Sequence, residues 1–179
     1  MLKISRSAGL LPVVAFASLL ALGAQVSKPA QAAAPVPQQI LSAQKVFISN
    51  GGGACDPFFE EPIFSGGPAR AYNQFYAAIK SWGRYQLVPA PADAELTFEI
   101  SLSCRDVFRG PGGSHRPQLI LVIRDVKTHT VLWKITESVE AALLQVNRDR
   151  NLDRAMHRLV LNLKHLTAAT HLRATQATQ

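Results

Sequence analysis

Cys55 and Cys104 are the only cysteines in the chain, and the compartment decides their chemistry. In an oxidising compartment they would pair; the alternatives are two free thiols or a redox couple, and no Cys-x-x-Cys spacing supports the redox role. Five histidines, at positions 115, 129, 157, 165 and 171, show no spacing typical of metal ligands. Asp153 and His157 stand four residues apart, which on a helix is more often a surface contact than half a metal site. Asn50-Gly51-Gly52-Gly53 has the composition of a phosphate cradle. No Lys-Ser/Thr follows it, however, and helical periodicity resumes only near Pro68, so the helix N-terminus of an anion site is missing. Loop flexibility is the expectation there. No serine occupies a nucleophile elbow, and no pair of carboxylates divides into acid and base. Neither a cofactor nor a metal is expected.

Arg105, Arg109, Arg116, Arg148, Arg150, Arg154 and Arg158 can form a basic patch that attracts nucleic acid, anionic lipid or polymer. Solvated loop and helix faces are the plainer reading. The compartment argues against nucleic acid as a partner. Lys3 and Arg6 precede an apolar run from Gly9 to Ala24, and Ala30-Gln31-Ala32 puts small residues at both cleavage positions. The run holds Pro12 and Gly23 and falls short of the roughly 20 apolar residues that span a bilayer. Residues 1–32 are therefore expected to be a secretory signal peptide, leaving a periplasmic or secreted product without a stable membrane anchor. No cysteine closely follows the run, which disfavours a lipid anchor, and the absence of Asn-x-Ser/Thr favours a bacterial envelope. The chain carries a formal charge of +7; once Lys3, Arg6 and Lys28 leave with the leader, 16 basic residues face 12 acidic ones.

The remaining length suits one domain. Residues 33–44 read as an extended lead-in, 45–166 as the domain, and 167–179, rich in Ala, Thr and Gln, as a disordered tail. Within the domain, Lys45 to Asn50 predicts a buried first strand. Tyr72, Phe75, Tyr76, Ile79 and Trp82 recur at helical spacing between Pro68 and Gly83, an aromatic stripe best explained as core. Leu96, Phe98, Ile100, Leu102 and Cys104 alternate with Glu95, Thr97, Glu99, Ser101 and Ser103, the pattern of a strand with one dry and one wet face. Leu119 to Ile123 and Val131 to Ile135 predict a hairpin, with Asp125 accepting backbone N–H bonds and His129 left-handed at the turn. Asn147 or Asn151 can cap a last helix with a stripe of Leu152, Met156, Leu159, Val160, Leu163 and Leu166. The expected fold is α+β, a two-layer sandwich of a mixed, mostly antiparallel sheet of four to five strands with two helices on one face.

The order strand, helix, strand, hairpin, helix resembles the α/β domains of bacterial envelope proteins such as the TolB amino-terminal domain and the curli-secretion lipoprotein. Ala92-Asp93 opens a strand as in those families, and Asp125, Lys127 and Thr128 precede the aliphatic-Trp strand at Leu132-Trp133. The resemblance implies a domain that binds other envelope components and performs no chemistry. Two function classes follow. One is a non-enzymatic binding module for an unidentified envelope protein or polymer. It would use Ile120, Val122 and Leu132 on the open sheet face, or the basic loop around Arg105, Arg109 and Arg116. The other is a small hydrolase of envelope material with His115 or His157 as base. The shortage of convergent polar residues favours the first.

Overall fold

The computed structural model describes residues 34–53, 63–106 and 115–176. The chain divides into two units, Met1–Ala34 and Pro35–Gln179, of which the first lies almost wholly outside the described residues.

The second unit is built on one five-stranded sheet. Its strands are β1 (Lys45–Asn50), β2 (Gln86–Leu87), β3 (Leu96–Asp106), β4 (His115–Asp125) and β5 (Val131–Ser138), in the spatial order β2-β1-β3-β4-β5. β1 runs parallel to β2 and β3, while β3, β4 and β5 are antiparallel, so the sheet is mixed and open. The parallel step from β1 to β2 needs a crossover, and helix α2 (Arg70–Trp82) supplies it. A short α1 (Gln38–Ser42) precedes β1, and the long α3 (Gln145–Gln176) follows β5. The α+β sandwich is as expected, with α1 as a third helix.

Alternation fixes which face is dry. Val46 and Ile48 of β1, Leu96, Phe98 and Ile100 of β3, Leu119, Leu121 and Ile123 of β4, and Ile135 of β5 are buried. They form one cluster with Phe75 and Ile79 of α2 and with Leu152, Met156, Leu159 and Leu163 of α3. Burying a side chain of this size contributes roughly 1.5–3 kcal/mol, and this cluster holds the two layers together. The aromatic stripe of α2 is indeed core, except that Tyr76 is exposed. Phe98 meets Phe75 at 6.4 Å and Tyr85 edge-on at 5.3 Å between ring centroids.

Local chemistry sets the boundaries. Gly83 ends α2 in the left-handed region at φ 70°, its N–H donating to Ile79 O. At the hairpin turn Asp125 Oδ1 accepts from Thr128 N at 2.7 Å and from Thr128 Oγ1 at 3.0 Å, and His129 is left-handed at φ 56°, both as the sequence predicts.

Several expectations are corrected. The lead-in is not merely extended: Ile40 of α1 is fully buried in the core. α3 starts at Gln145 rather than at a cap on Asn147 or Asn151; Asn147 N and Arg148 N both donate to Leu144 O, and the Asn151 side-chain amide reaches back to Glu140 O. α3 also runs past Thr167 to Gln176 where a disordered tail was expected. Thr167 is buried, and the alanines beyond it favour helix.

The glycine run is explained by packing rather than flexibility. Gly51 N donates to Ile100 O, and Gly52 O accepts from Leu102 N, so this segment continues β1 along β3. Gly53, at φ 109°, has no room for a side chain, because a Cβ there would lie 1.7 Å from the Leu102 carbonyl oxygen. Only glycine fits so close to the backbone of β3.

Candidate binding surface

The side chains between the buried ones point to the other face of the sheet, and the strand registers place them in rows. Phe47 stands beside Thr97, followed by Arg124 and Val131; Ser49 stands beside Glu99, Val122 and Lys134. Ser101, Ile120 and Thr136 form a third row, and Ser103, Gln118 and Ser138 a fourth. None of these residues is buried, whereas Val46, Ile48, Leu96, Phe98, Ile100, Leu119, Leu121, Ile123 and Ile135, which alternate with them, are. All three helices contribute to the opposite face, where α1 lies against α3. Among the described residues, no helix therefore packs on the face predicted to be wet. The lead-in does not cover it, since Val36 and Ile40 join the core. The apolar pair Phe58-Phe59 lies outside the described residues.

Ile120 and Val122 hold the places expected of them, half-buried and outside the core cluster. Leu132 does not. The β4–β5 register slips between Ile123 and Arg124, so that Ile123 faces Trp133 while Arg124 faces Val131. Leu132 is the extra residue of this bulge and packs, half-buried, against the core. One inserted residue reverses the parity of a strand, which no reading of alternation alone would detect. Val131 takes the outward place and is 47% exposed.

Sequence reasoning missed Phe47. The run Val46-Phe47-Ile48 is apolar on both faces and predicts a buried strand, yet Phe47 points to the face opposite the helices and lies outside the core cluster. Beside it, Ser49 Oγ is shielded from solvent without a hydrogen-bond partner in the structure. Charges frame the apolar positions. Arg124 Nε lies 3.8 Å from Glu99 Oε2, an exposed pair worth about 0–1 kcal/mol, and Lys134 is exposed across from Val122. Glu95, assigned to this face by alternation, instead accepts the backbone N–H groups of Lys45 and Gln44. These bonds hold its carboxyl below the usual range.

The basic positions do not converge. Arg105 and Arg116 are register partners across β3 and β4, and Arg116 is exposed; Arg109 lies outside the described residues. Arg150, Arg154 and Arg158 instead line a shallow depression of about 420 Å³ on α3, together with Asp153 and His157. Asp153 is engaged by Arg70 and Gln74, at 2.7 Å each. Of the two alternative bases, His157 lies in this depression among three arginines and Asp153, and His115 is the register partner of Asp106 at the start of β4. Among the described residues no group of three or more His, Cys, Asp or Glu is placed to hold a metal ion. Cys104 is not a free thiol. Cys55 lies outside the described residues, and its pairing with Cys104 remains a proposal.

No family model matches the chain, and no curated protein does. Among solved structures it is similar to a DUF330 family protein from Xanthomonas campestris, at 13% identity and TM-score 0.42, covering 79% of this chain and 90% of that one. A PelC dodecamer from Paraburkholderia phytofirmans is similar at 14% identity and TM-score 0.39, covering 75% and 94%. So is uncharacterized lipoprotein B from Nitrosomonas europaea, at 12% identity and TM-score 0.39, covering 80% and 94%. These are bacterial proteins, one of them a lipoprotein; at such scores none assigns a role to a residue of this chain.

Proposed function

We propose that the mature domain is a non-enzymatic binding module of the bacterial envelope that docks a partner protein on the open face of its sheet. One observation carries this reading. Phe47, Ile120 and Val122 are solvent-reached apolar side chains on a face over which no described segment packs. Ile120 and Val122 stand two residues apart on β4, Phe47 lies two strands away on β1, and Glu99 on β3 stands between them. Apolar side chains on an otherwise polar surface can mark a contact site, and Glu99, Arg124 and Lys134 add charges of both signs. The leader-like segment before Ala33 supports an envelope location. Kinship with the TolB amino-terminal and curli-secretion domains belongs to the same proposal. Among the described residues no helix is long and apolar enough to cross a membrane.

Val122→Asp tests the proposal. On an open face the substitution should change stability by no more than about 0.5 kcal/mol, leave thermal melting nearly unchanged, and abolish co-elution with the partner in sizing chromatography of envelope extracts. Under a covering segment it would bury an unpaired charge and unfold the domain. A melting point many degrees lower, or undiminished co-elution, would refute the docking face.

A further inference from the structure

The end of the connection from β5 and the first turn of α3 carry the most exposed large apolar side chains among the described residues. Leu143 is 96% exposed, Leu144 62% and Val146 59%. They precede the buried stripe of α3, which begins at Leu152, at the bend that leads into the helix. Basic residues follow at once. Val146, Arg150, Arg154 and Arg158 succeed one another at four-residue spacing and so form one stripe along the helix, rising about 6 Å per step. Arg158 is paired with Glu137. Arg150 and Arg154 donate only to the neighbouring asparagines Asn147 and Asn151 and have no carboxylate partner among the described residues. Of the nearby acids, Asp149 and Asp153 are both bound by Arg70, although the Asp153 side chain is 53% exposed beside Arg150 and Arg154, and Glu140 is exposed as well.

We propose that this end of the domain is a reversible docking site for an anionic phospholipid surface. Leu143, Leu144 and Val146 would enter the headgroup and acyl boundary, and Arg150 and Arg154 would meet the phosphates. The charge pattern favours this occupant, because unpaired guanidinium groups one and two turns behind an apolar tip lie at headgroup height when the tip enters by about 5–10 Å. Area argues the same way. Three exposed side chains fall well short of the roughly 800 Å² per partner of a stable protein interface. The inference concerns a different surface from the proposed protein-docking face and does not depend on it.

The test uses protein purified after export, with leader removal checked by mass, and co-sedimentation with vesicles of phosphatidylethanolamine and phosphatidylglycerol or of phosphatidylcholine alone. The protein should sediment with the first and not the second, and 0.5 M salt should weaken binding about tenfold or more. Leu143→Ser with Leu144→Ser, and separately Arg150→Gln with Arg154→Gln, should each weaken binding by at least about tenfold without altering melting. In Leu143→Trp, the added fluorescence should shift to the blue on mixing with the anionic vesicles. No binding by the parent protein, equal binding by the variants, or an unshifted Leu143→Trp spectrum would overturn the proposal. So would an oligomer that the leucine variants convert to monomer without any lipid binding, since the occupant would then be a second copy.

Discussion

Reducing the mature protein should lower its melting temperature by on the order of 10 °C. The expectation rests on a Cys55–Cys104 bridge, which would close a loop of roughly 50 residues and remove about 4 kcal/mol of chain entropy from the unfolded state. The fold gives such a loop much to constrain. Between the two cysteines lie α2, β2 and most of β3, including Phe75, Ile79 and Phe98 of the core. Cys104 sits near the end of β3, opposite Pro117 of β4, in a strand anchored along its length. Non-reducing peptide mapping should yield one linked peptide containing both cysteines, and Cys104→Ser should melt like the reduced parent. Two alkylatable thiols in freshly isolated protein, or a melting point indifferent to reductant, would end the reading.

How legible the sequence is depends on whether a residue's environment is local. The wet and dry faces of β3 follow from period two alone, because a strand with one buried face cannot shift by one residue without exposing its core. The hairpin turn was equally legible, since Asp125 and His129 act on their own backbone. The candidate surface was half legible. Ile120 and Val122 lie before the bulge and keep the parity read from alternation, whereas Leu132 lies at it and does not. Phe47 was hidden by apolar neighbours on both sides. Leu143 and Leu144 carried no periodic signal, and only the observed start of α3 at Gln145 turns them outward. Gly53 is a third kind of case. Its constraint comes from the Leu102 carbonyl, about 50 residues away in sequence, and no local pattern records it.

Arg70→Ala should destabilise the domain by about 3 kcal/mol, more than the loss of any exposed ion pair, because it removes a largely shielded charged bridge between α2 and α3. Arg70 opens α2 and reaches α3 with both ends of its guanidinium group: Nη1 lies 2.6 Å from Asp149 Oδ1, and Nη2 lies 2.7 Å from Asp153 Oδ1. Arg70 and Asp149 are largely shielded from water. Ser65 donates both its N–H and its hydroxyl to the Asp149 carboxylate, at 3.0 and 2.7 Å, so removing the arginine leaves a shielded anion with only neutral donors. Burial by itself would raise the Asp149 carboxyl, but the bonds from Ser65 and Arg70 outweigh it and hold the group below its ordinary value. A carboxylate lowered in the folded state stabilises that state above its unfolded value, and the gain is lost as pH falls through the folded value. The parent should therefore lose stability as pH drops below about 4, in the ordinary carboxylate range. Asp149→Asn should start from a lower melting temperature at neutral pH and lose less on acidification. Arg70→Lys keeps the charge but cannot reach both carboxylates with a planar fork, and it should restore less than half of the loss. Melting curves of the four proteins at pH 7 and pH 3 decide the matter. Arg70→Ala within 1 °C of the parent at both values would show that the Arg70 bridge contributes nothing to holding the helices together.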